Sequence, residues 1–177
     1  QLWSQQTLPY PAGRYVVNGA PRTFRGKVII GNGGGDSGMR GYVTAYDQAT
    51  GKQAWRFYPV PGSPQENKGD PLMERAEKTW WGEYWQGKTG GGPWGSISFD
   101  PALNHIYIGS ANPGQVDTAR VGKESGDQLY SSSIIALDAD SGKYVWHYQV
   151  NPREGWDYKA TAGMIAATLT IDGKRRK

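Results

Sequence analysis

Cysteine is absent from all 177 residues, which excludes disulfides and thiolate metal centres within this segment but does not identify a compartment. Long apolar runs are also absent. None approaches the roughly 18 residues that a bilayer-spanning helix needs, so no membrane span is expected. The opening QLWSQQTLPYPAGRY has neither the basic start nor the apolar stretch of a signal peptide. With no initiator methionine and a basic ending just after a turn, the chain reads as an internal piece of a longer protein. Charge of either sign is not concentrated enough to bind nucleic acid. The net value is +4, and part of it sits in Lys174–Lys177, which reads as a solvated turn or tail.

What is abundant is glycine (26), tyrosine (11) and tryptophan (8), with few long helical patterns. That balance points to an all-β repeat architecture. Within Lys27–Gly41, KVIIGNGGGDSGMRG, the residues Gly33–Gly38 satisfy G-x-G-x-x-G after an apolar run. A dinucleotide loop must open a helix, because the pyrophosphate is held by N–H groups at a helix N-terminus. Here GYVTAYD follows, rich in β-branched and aromatic residues, so the context predicts a second strand.

Repeats are the strongest signal. Ala45–Trp55, AYDQATGKQAW, recurs as Ala136–Trp146, ALDADSGKYVW, at an offset of 91 residues. Each copy is a strand, a turn ending in Gly-Lys and a second strand carrying Trp, the pattern of a β-hairpin with glycine at φ > 0. Upstream, KVIIGNG matches HIYIGSAN, and each is preceded by a further strand and turn. The units are thus four-stranded meanders A-B-C-D, one over about 18–60 and one over about 94–151, with the start of a third over 157–177. Such units are propeller blades, and three partial blades cannot close a ring. Between the first two lies an insertion, 61–93, where Asp70 as N-cap and Pro71 at the first helical position predict a short helix through Trp80.

Antiparallel pairing brings the D-to-A connections and the B-to-C loops to one end of every blade. That end holds Asn18, Gly33, Gly34, Gly35, Asp36, Trp94, Asn112 and Asp157. Asp36 and Asn112 are hard oxygen donors of the kind Ca2+ takes, the three glycines permit close backbone approach, and Trp94 offers a ring face to a planar ligand. Asp and Asn beside glycine are also ordinary turn formers. Trp55 and Trp146, at equivalent repeat positions, are expected to pack between blades, whereas Trp94 and Trp156 fall outside the repeat. His105 and His147 are isolated and read as structural. Arg40 suits either a salt bridge or a catalytic part.

The run KVIIGNGGGDSGMRGYVTAYDQATGKQAWRFYPVPG, then GGGPWGSISFDP, GSANP, SSSIIALDADSGKYVWHYQ and GWDY, resembles the pyrroloquinoline quinone (PQQ)-dependent alcohol dehydrogenases in order and spacing over nearly the whole chain. The resemblance implies part of an eight-bladed propeller, usually periplasmic, with PQQ and a cation near its axis. It assigns Asp36 and Asn112 as cation ligands, Trp94 as the residue stacked on the quinone, and Asp157 as the general base. Gly33, Gly34, Gly35 and Asn18 fall beside the cofactor. Three positions depart from the family pattern: Asp36 stands for Glu and reaches less far, while Asn18 and Gly92 stand where Thr is common. Lanthanide-using relatives carry an extra Asp two residues after the base; Lys159 occupies that place, which favours Ca2+.

The implied reaction is oxidation of a small primary alcohol. Asp157 takes the hydroxyl proton, hydride passes to the quinone carbonyl polarised by Ca2+, and electrons leave to a cytochrome c or fused haem domain. A PQQ dehydrogenase for sugars or polyols, and a non-catalytic propeller scaffold, are the rival readings. The segment alone is expected to be inactive.

Overall fold

Strand pairing follows from the alternation of β-branched and small residues between glycine turns. In the computed structural model, which describes residues 1–9, 14–87, 90–95, 97–114 and 126–177, β1 (Arg22–Phe24), β2 (Lys27–Gly31), β3 (Val43–Asp47) and β4 (Gln53–Phe57) form an antiparallel meander in sequence order. A second meander joins β5 (Ile97–Asp100), β6 (His105–Gly109), β7 (Ser133–Asp138) and β8 (Tyr144–Gln149). A separate hairpin pairs β9 (Leu169–Ile171) with β10 (Lys174–Arg176). Strand pairing in the third unit begins only at Leu169: among the described residues Met164–Thr168 has no strand partner, and the Met164 carbonyl accepts a bond from Ser98 Oγ (2.6 Å).

The two Gly-Lys hairpins are built alike. Asp47 Oδ1 accepts from the N–H groups of Ala49 and Thr50 and from Thr50 Oγ1, while Asp138 Oδ1 accepts from the N–H and Oγ of Ser141. Gly51 and Gly142 then turn the chain at φ 72° and 70°, the left-handed region that disfavours a Cβ. These glycines also receive tryptophans from elsewhere. Trp55 lies on Gly142 so closely that an added Cβ would stand 2.4 Å from its ring, and its Nε1 donates to the Ala139 carbonyl (3.3 Å). Trp3 treats Gly51 the same way (2.6 Å), with Nε1 donating to the Gln48 carbonyl (2.9 Å). Trp55 is thus an inter-sheet packing residue, and Trp3 plays the same part where no repeat was read. Lys27 adds an ion pair across the same junction, to Asp140 at 3.0 Å.

The core is one apolar layer shared by the two sheets: Ile29, Val43 and Phe57 from one, Ile106, Ile108 and Leu137 from the other. The insertion seals it. Helix α1 (Pro64–Asn67), which the sequence did not announce, starts at a reciprocal capping box between Ser63 and Glu66. Helix α2 (Pro71–Glu77) starts where expected, with Asp70 accepting from the N–H groups of Leu72 and Met73, and buries Met73 and Ala76 in the core. Among the described residues no helix is long and apolar enough to cross a membrane.

Candidate active site

At one end of the sheets, the connections leading into β1, β5 and β9 abut one another. Val16 bridges Gly33, whose N–H donates to the Val16 carbonyl (2.8 Å). A Cβ on Gly19 would meet the Trp94 carbonyl at 2.7 Å, and one on Gly95 would meet the Thr161 carbonyl at 1.9 Å. Only glycine permits this spacing. The connections enclose a cleft of about 300 Å3 lined by Asn18, Arg22, Trp94 and Thr161 with the glycines between them. Trp94 leaves 36% of its surface exposed.

The GNGGGDSG loop forms no α-helix: it makes a single 3-10 turn, Gly35–Ser37, before β3. The buried Asn32 holds it. Its Oδ1 accepts from the Tyr42 N–H (2.6 Å), and its Nδ2 donates to the carbonyls of Gly33 (3.0 Å) and Arg40 (3.4 Å). In the second sheet Ser110 stands at the same register, its Oγ accepting from the Ser133 N–H (2.9 Å). The glycines are pressed against their own chain. A Cβ on Gly33 would meet Val16 at 2.9 Å, one on Gly34 the Arg14 carbonyl at 2.6 Å, and one on Gly35 the Gly90 Cα at 3.3 Å.

Gly90–Gly91 runs between the two B-to-C loops. The Gly90 carbonyl accepts from the Gly41 N–H (2.6 Å), and the Gly91 N–H donates to the Asn112 carbonyl (2.9 Å). Asp36 therefore lies on one side of this strip and Asn112 on the other. The Asp36 side chain is exposed and accepts no hydrogen bond from the described residues, whereas Asn112 is buried with its Nδ2 on the Pro113 carbonyl (3.0 Å). Among the described residues no group of three or more His, Asp or Glu side chains is arranged as a metal cluster.

Asp157 lies on the connection into β9, not in the cleft lining, in a left-handed conformation (φ 66°). Lys159 Nζ pairs with its Oδ1 at 2.6 Å. The turn is held by Glu154, which spacing did not single out; its only sequence signal is an acidic side chain two and three residues before the N–H groups of a tight Gly-containing turn. Trp156 and Tyr158 on either side are exposed.

The remaining polar candidates resolve as structural. Arg40 donates through Nε and Nη2 to the Val60 carbonyl (3.0 and 2.9 Å), pairs with Glu66 (3.7 Å) and stacks over Tyr58 (4.1 Å), tying the loop to the insertion. His147 shares a hydrogen bond with Tyr144 (2.8 Å) and packs edge-on against Tyr130. Burial, with the Arg75 charge behind it, holds its pKa below the usual histidine value. His105 packs edge-on against Tyr107.

The family described as "PQQ: Glucose/ethanol/alcohol dehydrogenase, beta-propeller domain" matches residues 3–177. The chain belongs to this PQQ propeller family. It is 52% identical to the quinohemoprotein alcohol dehydrogenase ADH-IIG of Pseudomonas putida, over 100% of this chain and 25% of that protein. The crystal structure of the quinohemoprotein alcohol dehydrogenase from Comamonas testosteroni superposes with a TM-score of 0.93 at 46% identity, covering 99% of this chain and 26% of that one. A europium-containing methanol dehydrogenase superposes with a TM-score of 0.80 at 37% identity, covering 91% and 29%. The chain thus spans about a quarter of the length of these relatives, and its meanders are blades of a β-propeller.

The cleft suits the cofactor for which this PQQ family is named. PQQ is flat and carries carboxylates; the cleft offers one partly exposed indole, the Arg22 guanidinium and the Asn18 amide around a space closed by glycine contacts. The Asp36 carboxylate, which accepts no hydrogen bond from the described residues, is an oxygen donor.

Proposed function

We propose that the intact protein is a PQQ- and Ca2+-dependent dehydrogenase that oxidises a primary alcohol to an aldehyde and passes electrons to a haem or cytochrome acceptor, in the periplasm. The observation that carries this reading is the cleft lined by Trp94, Arg22 and Asn18 between connections of successive blades. Relatives named quinohemoproteins support the haem acceptor. When bound, PQQ supplies the two-electron acceptor that no side chain here offers.

The chain's own residues do the rest. Trp94 would lie against the flat cofactor and Arg22 and Asn18 would meet its polar groups, while Gly33–Gly35 let the loop pack closely on its own chain. Asp36 and Asn112 supply oxygen ligands for Ca2+. Because Lys159 engages Asp157 Oδ1, Oδ2 remains to accept the substrate hydroxyl proton. The same ammonium places a positive charge beside the reacting centre, which favours a divalent over a trivalent ion.

The test uses the full-length parent loaded with PQQ and Ca2+, with dye reduction followed for primary alcohols and for glucose. Alcohol activity that falls at least ~10²-fold in Asp157→Asn, the lower range expected for loss of a general base, supports the reading. Full activity in that variant removes Asp157 as base; activity on glucose alone favours the sugar dehydrogenase, and none on either favours a scaffold. Asp36→Ala should raise the Ca2+ concentration for half-maximal activity by about tenfold or more, and Asp36→Glu should lower it. Unchanged Ca2+ dependence in both would remove Asp36 from the ligand set.

A further inference from the structure

Glu154 is 1% exposed, and among the described residues no cation pairs with it. Its carboxylate is instead occupied by the chain it precedes. Oε1 accepts from the Trp156 N–H and from Asn151 Nδ2 (3.4 Å), and Oε2 accepts from the Asp157 N–H (3.1 Å). A carboxylate removed from water is costly unless such donors satisfy it, so this placement is tied to the shape of the turn. On the far side of Asp157, the buried Ser132 Oγ donates to the Tyr158 carbonyl (2.9 Å). Two residues later the chain is wedged against the end of β6: the Ala160 N–H donates to the Ser110 carbonyl (3.2 Å), and a Cβ on Gly109 would stand 1.7 Å from the Ala160 carbonyl.

Asp157 is therefore gripped before and after, in a left-handed backbone conformation that is costly for a non-glycine residue and persists only where its surroundings over-determine it. We propose that Glu154 is a positioning residue for Asp157: its two oxygens, each on one N–H of the Trp156–Asp157 turn, fix the direction in which the Asp157 carboxylate points. This rests on Asp157 being the base. The role needs two acceptor oxygens. Glutamine, though the same shape, offers an amide N–H to one of the two N–H groups, whereas aspartate reaches N–H groups two and three residues on in an ordinary Asx turn.

The experiment compares Glu154→Gln, Glu154→Ala, Glu154→Asp and Asp157→Asn in the full-length, PQQ- and Ca2+-loaded protein. For each, kcat, KM for ethanol, PQQ binding by quinone absorbance, thermal midpoint, and the isotope effect with α-deuterated ethanol are measured. Misplacement of a reacting group by about 1 Å costs on the order of 10²-fold. Accordingly Glu154→Gln and Glu154→Ala should lose kcat on that scale, with KM and PQQ affinity within about twofold and a larger isotope effect. Glu154→Asp should recover most of the loss. A structural role alone would lower the active fraction and the thermal midpoint without enlarging the isotope effect. That result, or wild-type kcat in Glu154→Gln while Asp157→Asn is inactive, overturns the proposal and leaves the base assignment standing. Full activity in Asp157→Asn fails both.

Discussion

His147 shows how one buried ring can set a pH response without any part in chemistry. It lies against Tyr130 and Tyr144, and burial together with Arg75 lowers its pKa. The folded state then favours the neutral ring, while the unfolded chain takes a proton near pH 6.5. Between the folded and unfolded values the unfolded state binds more protons, so stability rises with pH there and falls as pH drops below about 6.5. The thermal midpoint of the parent should therefore be lower near pH 5.5 than near pH 7.5, and His147→Gln should flatten that part of the slope; an unchanged slope would show that other groups set it. Candidate residues were unequally legible. Asp36, Asn112 and Trp94 stand out because a carboxylate, an amide and an indole in glycine loops advertise themselves by type. Glu154 does not, because its partners are N–H groups of its own turn, and no spacing rule marks a side chain that bonds two residues ahead.

Between β2 and β3, the loop depends on Asn32 as a substitute for backbone pairing. Its Oδ1 takes the Tyr42 N–H at the register position where a strand partner would otherwise stand. Asn32→Ala would leave that buried donor unpaired, and the expected loss is about 1–3 kcal/mol, read as a lower denaturation midpoint with unchanged m-value. Ser110→Ala should weaken the equivalent loop in the same way, since its Oγ takes the Ser133 N–H; equal stability to wild type in both would show that water replaces these acceptors. At this scale the sequence announced the hairpins and α2, whose Asp70-Pro71 start is a local signal. Helix α1 escaped because its four residues carry no apolar period, only a capping box. The glycines of GNGGGDSG were legible as places of close approach, but what approaches Gly33, Gly34 and Gly35 among the described residues is the protein's own backbone and Val16.

Across the whole molecule, sheets are joined by tryptophan on glycine. Gly142→Ala combines a left-handed backbone with a Cβ 2.4 Å from the Trp55 ring. It should destabilise by more than the roughly 1 kcal/mol of the backbone term alone, and Trp55→Ala by about 3–5 kcal/mol. Differential scanning calorimetry of the parent checks both, and a Gly142→Ala midpoint equal to wild type would mean the junction can yield. The 91-residue repeat made Trp55 legible as an inter-sheet packing residue, whereas Trp146 at the matching position is 41% exposed and its ring meets Tyr107 of its own sheet (5.8 Å). Trp3 was not legible, since a single tryptophan among polar residues has no copy to be compared with.

Trp3 reaches forward to Gly51 and Trp55 forward to Gly142, never the reverse. Trp146, at the repeat position that matches Trp55, is 41% exposed. The assembly thus has a polarity like that of a row of tiles, each with a tongue on one side and a slot on the other. Breaks at its two ends are not equivalent. A chain cut ahead of a slot leaves an empty notch over a glycine turn, which costs packing. A chain cut behind a tongue leaves an indole in water, which forfeits the burial of its ring.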